Sequence, residues 1–172
     1  MPYYPEIRTL GDIARFHGAK RPDSTAFVFE KRSTSYHQFN ENTNQVANGL
    51  IGEGLPRQSR VAVMGKNSDW YYELLIGNAK ADLVTVGINW RLAPPEVAWI
   101  LNDAEAKVLF VGPEFVSVYE SIKPELKTVQ KVIVLADQHD RYPTYEQWRN
   151  AQSNNDPDVD VNPRDVAVQM YT

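Results

Sequence analysis

Residues 60–112, RVAVMGKNSDWYYELLIGNAKADLVTVGINWRLAPPEVAWILNDAEAKVLFVG, alternate between short apolar runs and helix-patterned stretches. The runs Val61–Met64, Leu83–Ile88 and Val108–Val111 are too short for helices and rich in β-branched residues, so they read as strands. Between them, Asp69 to Ala81 and Pro94 to Asn102 carry helical periodicity. A fourth run, Val132–Leu135, continues the series after a weaker helical stretch from Glu114 to Ile122. Successive strands start roughly 23 residues apart, the length of one βα unit. Apolar runs without strict alternation imply strands buried on both faces. The expected fold is therefore α/β: a parallel sheet of βα units flanked by helices.

Upstream, an N-terminal helix and a β-hairpin are expected. Thr9, with Asp12 three residues on, is a helix start for Leu10, Ile13, Ala14 and Phe16, and the helix should fade near Gly18. Thr25–Phe29 and Ser33–Tyr36 form the hairpin around Glu30-Lys31-Arg32. Ser35 and Gln38 form a capping box for a helix whose apolar face is Tyr36, Phe39, Thr43, Val46, Ala47 and Leu50. His37, Asn40, Glu41, Asn44, Gln45 and Asn48 make its other face polar, and Gly52 or Gly54 ends it in a left-handed conformation. Downstream, Thr144 and Gln147 read as a second capping box, opening a short helix through Trp148. Residues 153–164 are a polar linker, made mobile or extended by Pro157 and Pro163.

The final stretch, Asp165 to Thr172, reads as a strand over 166–172. Val166, Val168 and Met170 alternate with Ala167, Gln169 and Tyr171, the signal of one better-buried face. Compact domains usually end on polar, frayed residues. The expectation is a fragment, with something functional due after Tyr171-Thr172.

Composition excludes several classes. With 42% apolar and 23% charged residues and a net charge of −4, the 172-residue chain suits one soluble domain and gives no reason to expect nucleic acid. No cysteine is present, which removes disulfides, thiolate zinc sites and thiol catalysis. There is no secretory signal and no spanning segment, so the cytoplasm is the expected location.

Candidate chemistry is thin. Asp156, Asp158, Asp160 and Asn162 suggest calcium, but an EF-hand register from Asp156 puts Val161 where glycine is needed and Ala167 where a bidentate glutamate is needed. Gly49, Gly52 and Gly54 fall at a helix C-terminus, where carbonyls point outward, so they are caps rather than a phosphate loop. His17, His37 and His139 lie on separate elements without a second ligand at i+3 or i+4. His139-Asp140 reads as a polar turn more readily than as an acid/base pair. Ser68 lacks a glycine-flanked elbow and reads as the N-cap of the following helix. Trp70, Tyr71 and Tyr72, with Leu74 and Leu75, could line a pocket, but a core-facing helix explains them better. No catalytic residue and no metal ligand is expected in this chain.

Taken together, four segments resemble the start of the AMP-forming acyl-CoA synthetases, the adenylating enzymes. They are STSYHQFNENTNQVANGL (33–50), RVAVMGKNSDWYYELLIGNAKA (60–81) with its Asn67-Ser68 turn, VGINWRLAPPEVAWILNDAEAKVLFVG (86–112) and DVAVQMYT (165–172). The third carries Asn89, Pro95, Glu96, Ala106 and Lys107 at family positions. Asp82 replaces a frequent glycine and Gly87 a frequent proline. The resemblance implies that residues 1–172 are the N-terminal portion of the large AMP-binding (adenylation) domain. It also implies that Tyr171 and Thr172 begin the ATP phosphate loop, Tyr-Thr-Ser-Gly-Thr-Thr-Gly-x-Pro-Lys-Gly.

The implied parent uses ATP, Mg²⁺ and CoA to activate a carboxylic acid, such as a long- or medium-chain fatty acid, through an acyl-adenylate. Acyl-AMP ligases and aryl-acid–CoA ligases are alternatives within the family, and a stand-alone non-catalytic α/β binding or dimerisation module is the alternative outside it. The fragment itself is expected to be inactive and to bind none of these cofactors. Its cut surface should favour a homo-oligomer. Peripheral membrane association fits an enzyme of lipid acids, but no basic amphipathic helix here argues for it.

Overall fold

A computed structural model describes residues 4–172. Helix α1 (Leu10–Lys20) precedes an antiparallel hairpin of β1 (Thr25–Phe29) and β2 (Arg32–Ser35), and α2 (Tyr36–Gly52) follows at once. The βα series is β3 (Arg60–Met64), α3 (Asp69–Lys80), β4 (Val84–Ile88), α4 (Pro94–Asp103), β5 (Val108–Val111), α5 (Val116–Ile122) and β6 (Lys131–Val134). After it come α6 (Tyr145–Asn150) and β7 (Val168–Gln169). Strands β3 to β7 form one parallel sheet in the order β6-β5-β3-β4-β7.

Each buried strand sends alternate residues to opposite faces. Ala62, Met64, Leu109 and Val111 meet Val97, Leu101 and Tyr119 on the α4–α5 side. Val61, Val63, Val108 and Phe110 meet Val46, Leu50, Leu74 and Trp148 on the side of α2, α3 and α6. Covering both faces explains why these strands read as unbroken apolar runs. Helices α2 and α3 approach closely because Gly77 has no side chain: a Cβ there would lie 2.4 Å from Val46 Cγ1.

The expected capping box of α2 is present: Ser35 Oγ accepts from Gln38 N (3.2 Å) and Gln38 Oε1 accepts from Ser35 N (3.0 Å). Gly54, at φ +70°, follows its C-terminus. Helix α1 runs past Gly18 to Lys20, and β2 ends one residue early because Tyr36 is already helical. At α6 the second capping box does not form. Thr144 instead bridges Val134, and its hydroxyl turns to the Asp137 carbonyl at 3.4 Å.

The C-terminal third brings one addition and one correction. The polar segment 153–164 is extended but docked. Its carbonyls would lack partners in an extended path, and the polar face of α2 supplies them. Asn48 Nδ2 donates to Ser153 O (2.8 Å) and Asn155 O (2.9 Å), Asn44 Nδ2 to Asn154 O (2.9 Å), and Gln45 Nε2 to Gln152 O (3.2 Å). Arg15 on α1 grips Asp156 through two bonds of 2.7 and 2.9 Å. The terminal strand is shorter than the expected 166–172. Pairing is confined to Val168 and Gln169 against Thr85 and Val86, so Tyr171 and Thr172 lie beyond it. Its alternation is real but inverted: Val166, Val168 and Met170 face outward (54%, 39% and 78% exposed), because no other element covers them. Ala167, Gln169 and Tyr171 are the half-buried side.

Among the described residues, no helix is long and apolar enough to cross a membrane.

Candidate functional site

In a parallel sheet, ligands collect at the carboxyl ends of the strands, where connections leave in opposite directions. Here β3 connects towards β4 and β5 towards β6, so the crevice between β3 and β5 is such a point. An opening of ≈ 450 Å³ sits there, walled by Gly65, Lys66, Ser68, Gly112, Glu114 and Asp137. Its charges pair across the walls: Lys66 with Glu114 at 3.2 Å, and Arg32 with Asp69 through two bonds of 2.8 and 2.7 Å. Arg32 also lies 4.4 Å above the Trp70 ring. Ser68 Oγ accepts from Tyr71 N at 3.3 Å, the N-cap role expected of it.

Next to it, Trp90 stacks on Phe115 with ring centres 5.5 Å apart. Arg91 lies 4.1 Å and Lys66 5.9 Å from the Trp90 ring centre.

The larger opening, ≈ 600 Å³, lies where β4 and β7 end. Its walls are Gly87, Asn89, Leu92, Trp99, Tyr171 and Thr172, with Pro95, Glu96 and Ile100 behind them. Tyr171 is fixed by its hydroxyl, which donates to Asp103 Oδ2 (2.7 Å) and accepts from Gln169 Nε2 (2.8 Å). Its ring meets Trp99 edge-on at 5.8 Å. Burial, then the bond to Asp103, raises the Tyr171 hydroxyl pKa above its ordinary value. Thr172 is exposed at the rim. The two residues singled out from sequence thus meet in one apolar, partly polar cavity. Glu96 caps α4 through Ala93 N (2.8 Å), and the Asn89 side chain accepts from Arg91 N (3.1 Å), which shape the same wall.

The weaker candidates are accounted for structurally. His139 Nδ1 accepts from Arg141 N and Tyr142 N, both at 3.2 Å, and so closes a turn. His17 Nδ1 accepts from Arg21 Nε, while burial and the Arg21 charge lower its pKa. His37 lies 3.6 Å from Glu41. Asp156 is engaged with Arg15, and no cluster of three metal-binding side chains occurs among the described residues. Gly49 admits Trp148 rather than capping α2: a Cβ would sit 2.5 Å from that ring. Trp70 and Leu74 are core, as the helix reading expected, while Tyr72 stacks on Phe27 at the surface.

Two buried polar assemblies escaped the sequence reading. Glu73 accepts from Asn42 (2.7 Å), Tyr145 (2.7 Å) and Arg149 (2.6 Å) inside the core. Lys80 is fully buried, with Nζ 2.7 Å from Asn40 Oδ1 and 2.6 Å from Asn44 Oδ1. Polar residues at core-facing positions of α3 were the available signal.

The sequence pattern of the family described as AMP-binding enzyme matches residues 15–172. The chain is 34% identical over 99% of its length to the fatty acid–[acyl-carrier-protein] ligase ScoC of Streptomyces coeruleorubidus, covering 31% of that protein. It is 33% identical over 95% of its length to a long-chain-fatty-acid–CoA ligase of Thermus thermophilus, covering 30% of it. Among solved structures, a Mycobacterium tuberculosis fatty acyl CoA synthetase superposes with a TM-score of 0.88 at 29% identity, over 98% of this chain and 33% of that one. The anthranilate CoA ligase AuaEII, in complex with anthranoyl-AMP, gives 0.86 at 27%, over 100% of this chain and 32% of that one. The chain therefore spans about a third of the length of these relatives.

Proposed function

Since this chain belongs to the AMP-binding enzyme family, we propose that it is the N-terminal portion of the adenylation domain of an AMP-forming acid–thiol ligase, acting on a fatty or related carboxylic acid. In that reaction a carboxylate oxygen attacks the α-phosphorus of ATP and pyrophosphate leaves. A thiol sulfur then attacks the acyl carbon, AMP leaves, and the thiol proton is released. The names of the relatives support two acceptor thiols, that of coenzyme A and that of an acyl-carrier protein. Magnesium would accompany ATP, and we assign no residue of this chain to it.

The observation that carries the reading is the delivery of Tyr171 and Thr172 to the carboxyl edge of the parallel sheet, beside the ≈ 600 Å³ cavity. Adenylyl transfer depends on clustered donors that stabilise phosphate charge. Thr172 offers one exposed hydroxyl, so the 172-residue chain is a scaffold rather than a catalyst. ATP–pyrophosphate exchange tests this. The full reading frame should exchange label with a fatty or aryl acid, and the 172-residue chain should not. Saturable micromolar ATP binding by the chain alone overturns the scaffold reading, and a full-length protein that adenylates no carboxylic acid overturns the ligase reading.

A further proposal concerns association. The outer edge of β7 and the exposed Val166, Val168 and Met170 give the isolated chain a sticky sheet edge. Sedimentation should show reversible self-association, and a strict monomer at high concentration counts against it.

A further inference from the structure

Strand β7 has only two paired residues, Val168 and Gln169. What holds its near end is a side chain. Gln58 Oε1 accepts from Val166 N (3.1 Å), and Gln58 Nε2 donates to Val166 O (3.3 Å). One carboxamide thus satisfies both backbone groups of Val166, the service a neighbouring strand would perform.

The carboxamide is itself aimed. Gln58 Nε2 donates to Asp82 Oδ1 at 2.7 Å, and Gln58 N donates to Asp82 O at 2.7 Å. Asp82 is 2% exposed, and its other oxygen accepts from Arg57 Nε. Arg57 reaches on to the Asp160 carbonyl at 2.6 Å. Both Gln58 and Asp82 are left-handed, at φ 61° and 56°. Glycine would take either position without strain. Strained backbone that persists at non-glycine residues points to what their side chains do, and here both serve the approach of β7.

We infer that Gln58, seated on Asp82, is a positioning residue: its carboxamide stands in for a strand beside Val166 and sets the register in which β7 delivers Tyr171 and Thr172. Val166 to Tyr171 is a lever of about 16 Å in extended chain. Its far end is pinned separately, by the Tyr171–Asp103 bond and by Arg60 Nε donating to Gln169 Oε1 at 3.1 Å. The structural part of this inference stands alone; its catalytic consequence rests on the ligase reading.

The test uses Gln58→Gly and Gln58→Glu. Gln58→Gly removes the carboxamide and relieves strain, so thermal stability should hold or rise. Hydrogen exchange in residues 160–172 should still accelerate about 10-fold, with β3 and β4 unchanged. Gln58→Glu should do the same, because its carboxylate cannot donate to Val166 O and is set against the Asp82 carboxylate. Unchanged exchange in 160–172, or equal acceleration in every strand, overturns the inference.

In the full-length protein, Gln58→Gly should raise the KM for ATP in pyrophosphate exchange about 5-fold or more while sparing the KM for the acid. Accelerated exchange with an unaltered KM for ATP overturns the catalytic consequence alone. A wild-type protein that exchanges no pyrophosphate overturns the ligase reading and leaves the hydrogen-exchange result standing.

Discussion

Lys80 is the residue whose burial has the plainest consequence. Desolvation, with a smaller contribution from the Arg15 charge, pushes its amine down to about 7, against the opposing pull of Asp156 and Asp12. Between pH 7 and the ordinary value of 10.5 the unfolded chain binds the extra proton. Stability contributed by this group should therefore rise with pH across that window and be flat below it. Thermal melts of wild type and Lys80→Met over the same range check the sign, since the variant should lack the slope. Glu73 is a buried carboxylate whose bonds to Asn42, Tyr145 and Arg149 all lie within 2.7 Å. Glu73→Ala strands the Arg149 guanidinium and should cost about 3–5 kcal/mol in urea unfolding. Both interrupt the core-facing side of α3, but what satisfies them is legible only once their partners from α2 and α6 are known.

At the scale of elements, the βα series was legible because strands covered on both faces must be continuously apolar, as in Val61–Met64 and Val108–Val111. Ser35 and Gln38 announced α2 for an equally local reason. The polar face of α2 was legible as polar, but not what it binds. Asn44, Gln45 and Asn48 carry the same residue types that water would favour, and only the return of residues 152–155 shows what they donate to. Asn48→Ala removes donors to two carbonyls. It should cost about 1–2 kcal/mol and quicken tryptic cleavage at Arg164, measured against an unchanged rate at Lys20. Of the candidate site, only Tyr171 and Thr172 were singled out as site residues, while Asn89, Pro95 and Glu96 entered as family positions without a role. Leu92 and Trp99 reach the same cavity by folding.

For the whole molecule, the two edges of the sheet differ. Strand β6 is flanked by the Val134–Thr144 bridge, whereas β7 presents Met170 at 78% exposure. Met170→Lys places a charge on that strip and should shift self-association about 10-fold towards monomer, read by sedimentation, without lowering the melting temperature. The docking of residues 152–155 also sets how this protein ages. Asn48 must stay an amide to hold two carbonyls, and Gly49 must stay small to admit Trp148, so the chain is bound to keep an adjacent Asn-Gly pair. That dipeptide is the one most prone to lose ammonia through a succinimide, and helical backbone protects it only while α2 is intact. Each excursion that frays α2 therefore risks turning the Asn48 donor into a carboxylate facing those carbonyls, a covalent scar that makes the next excursion easier.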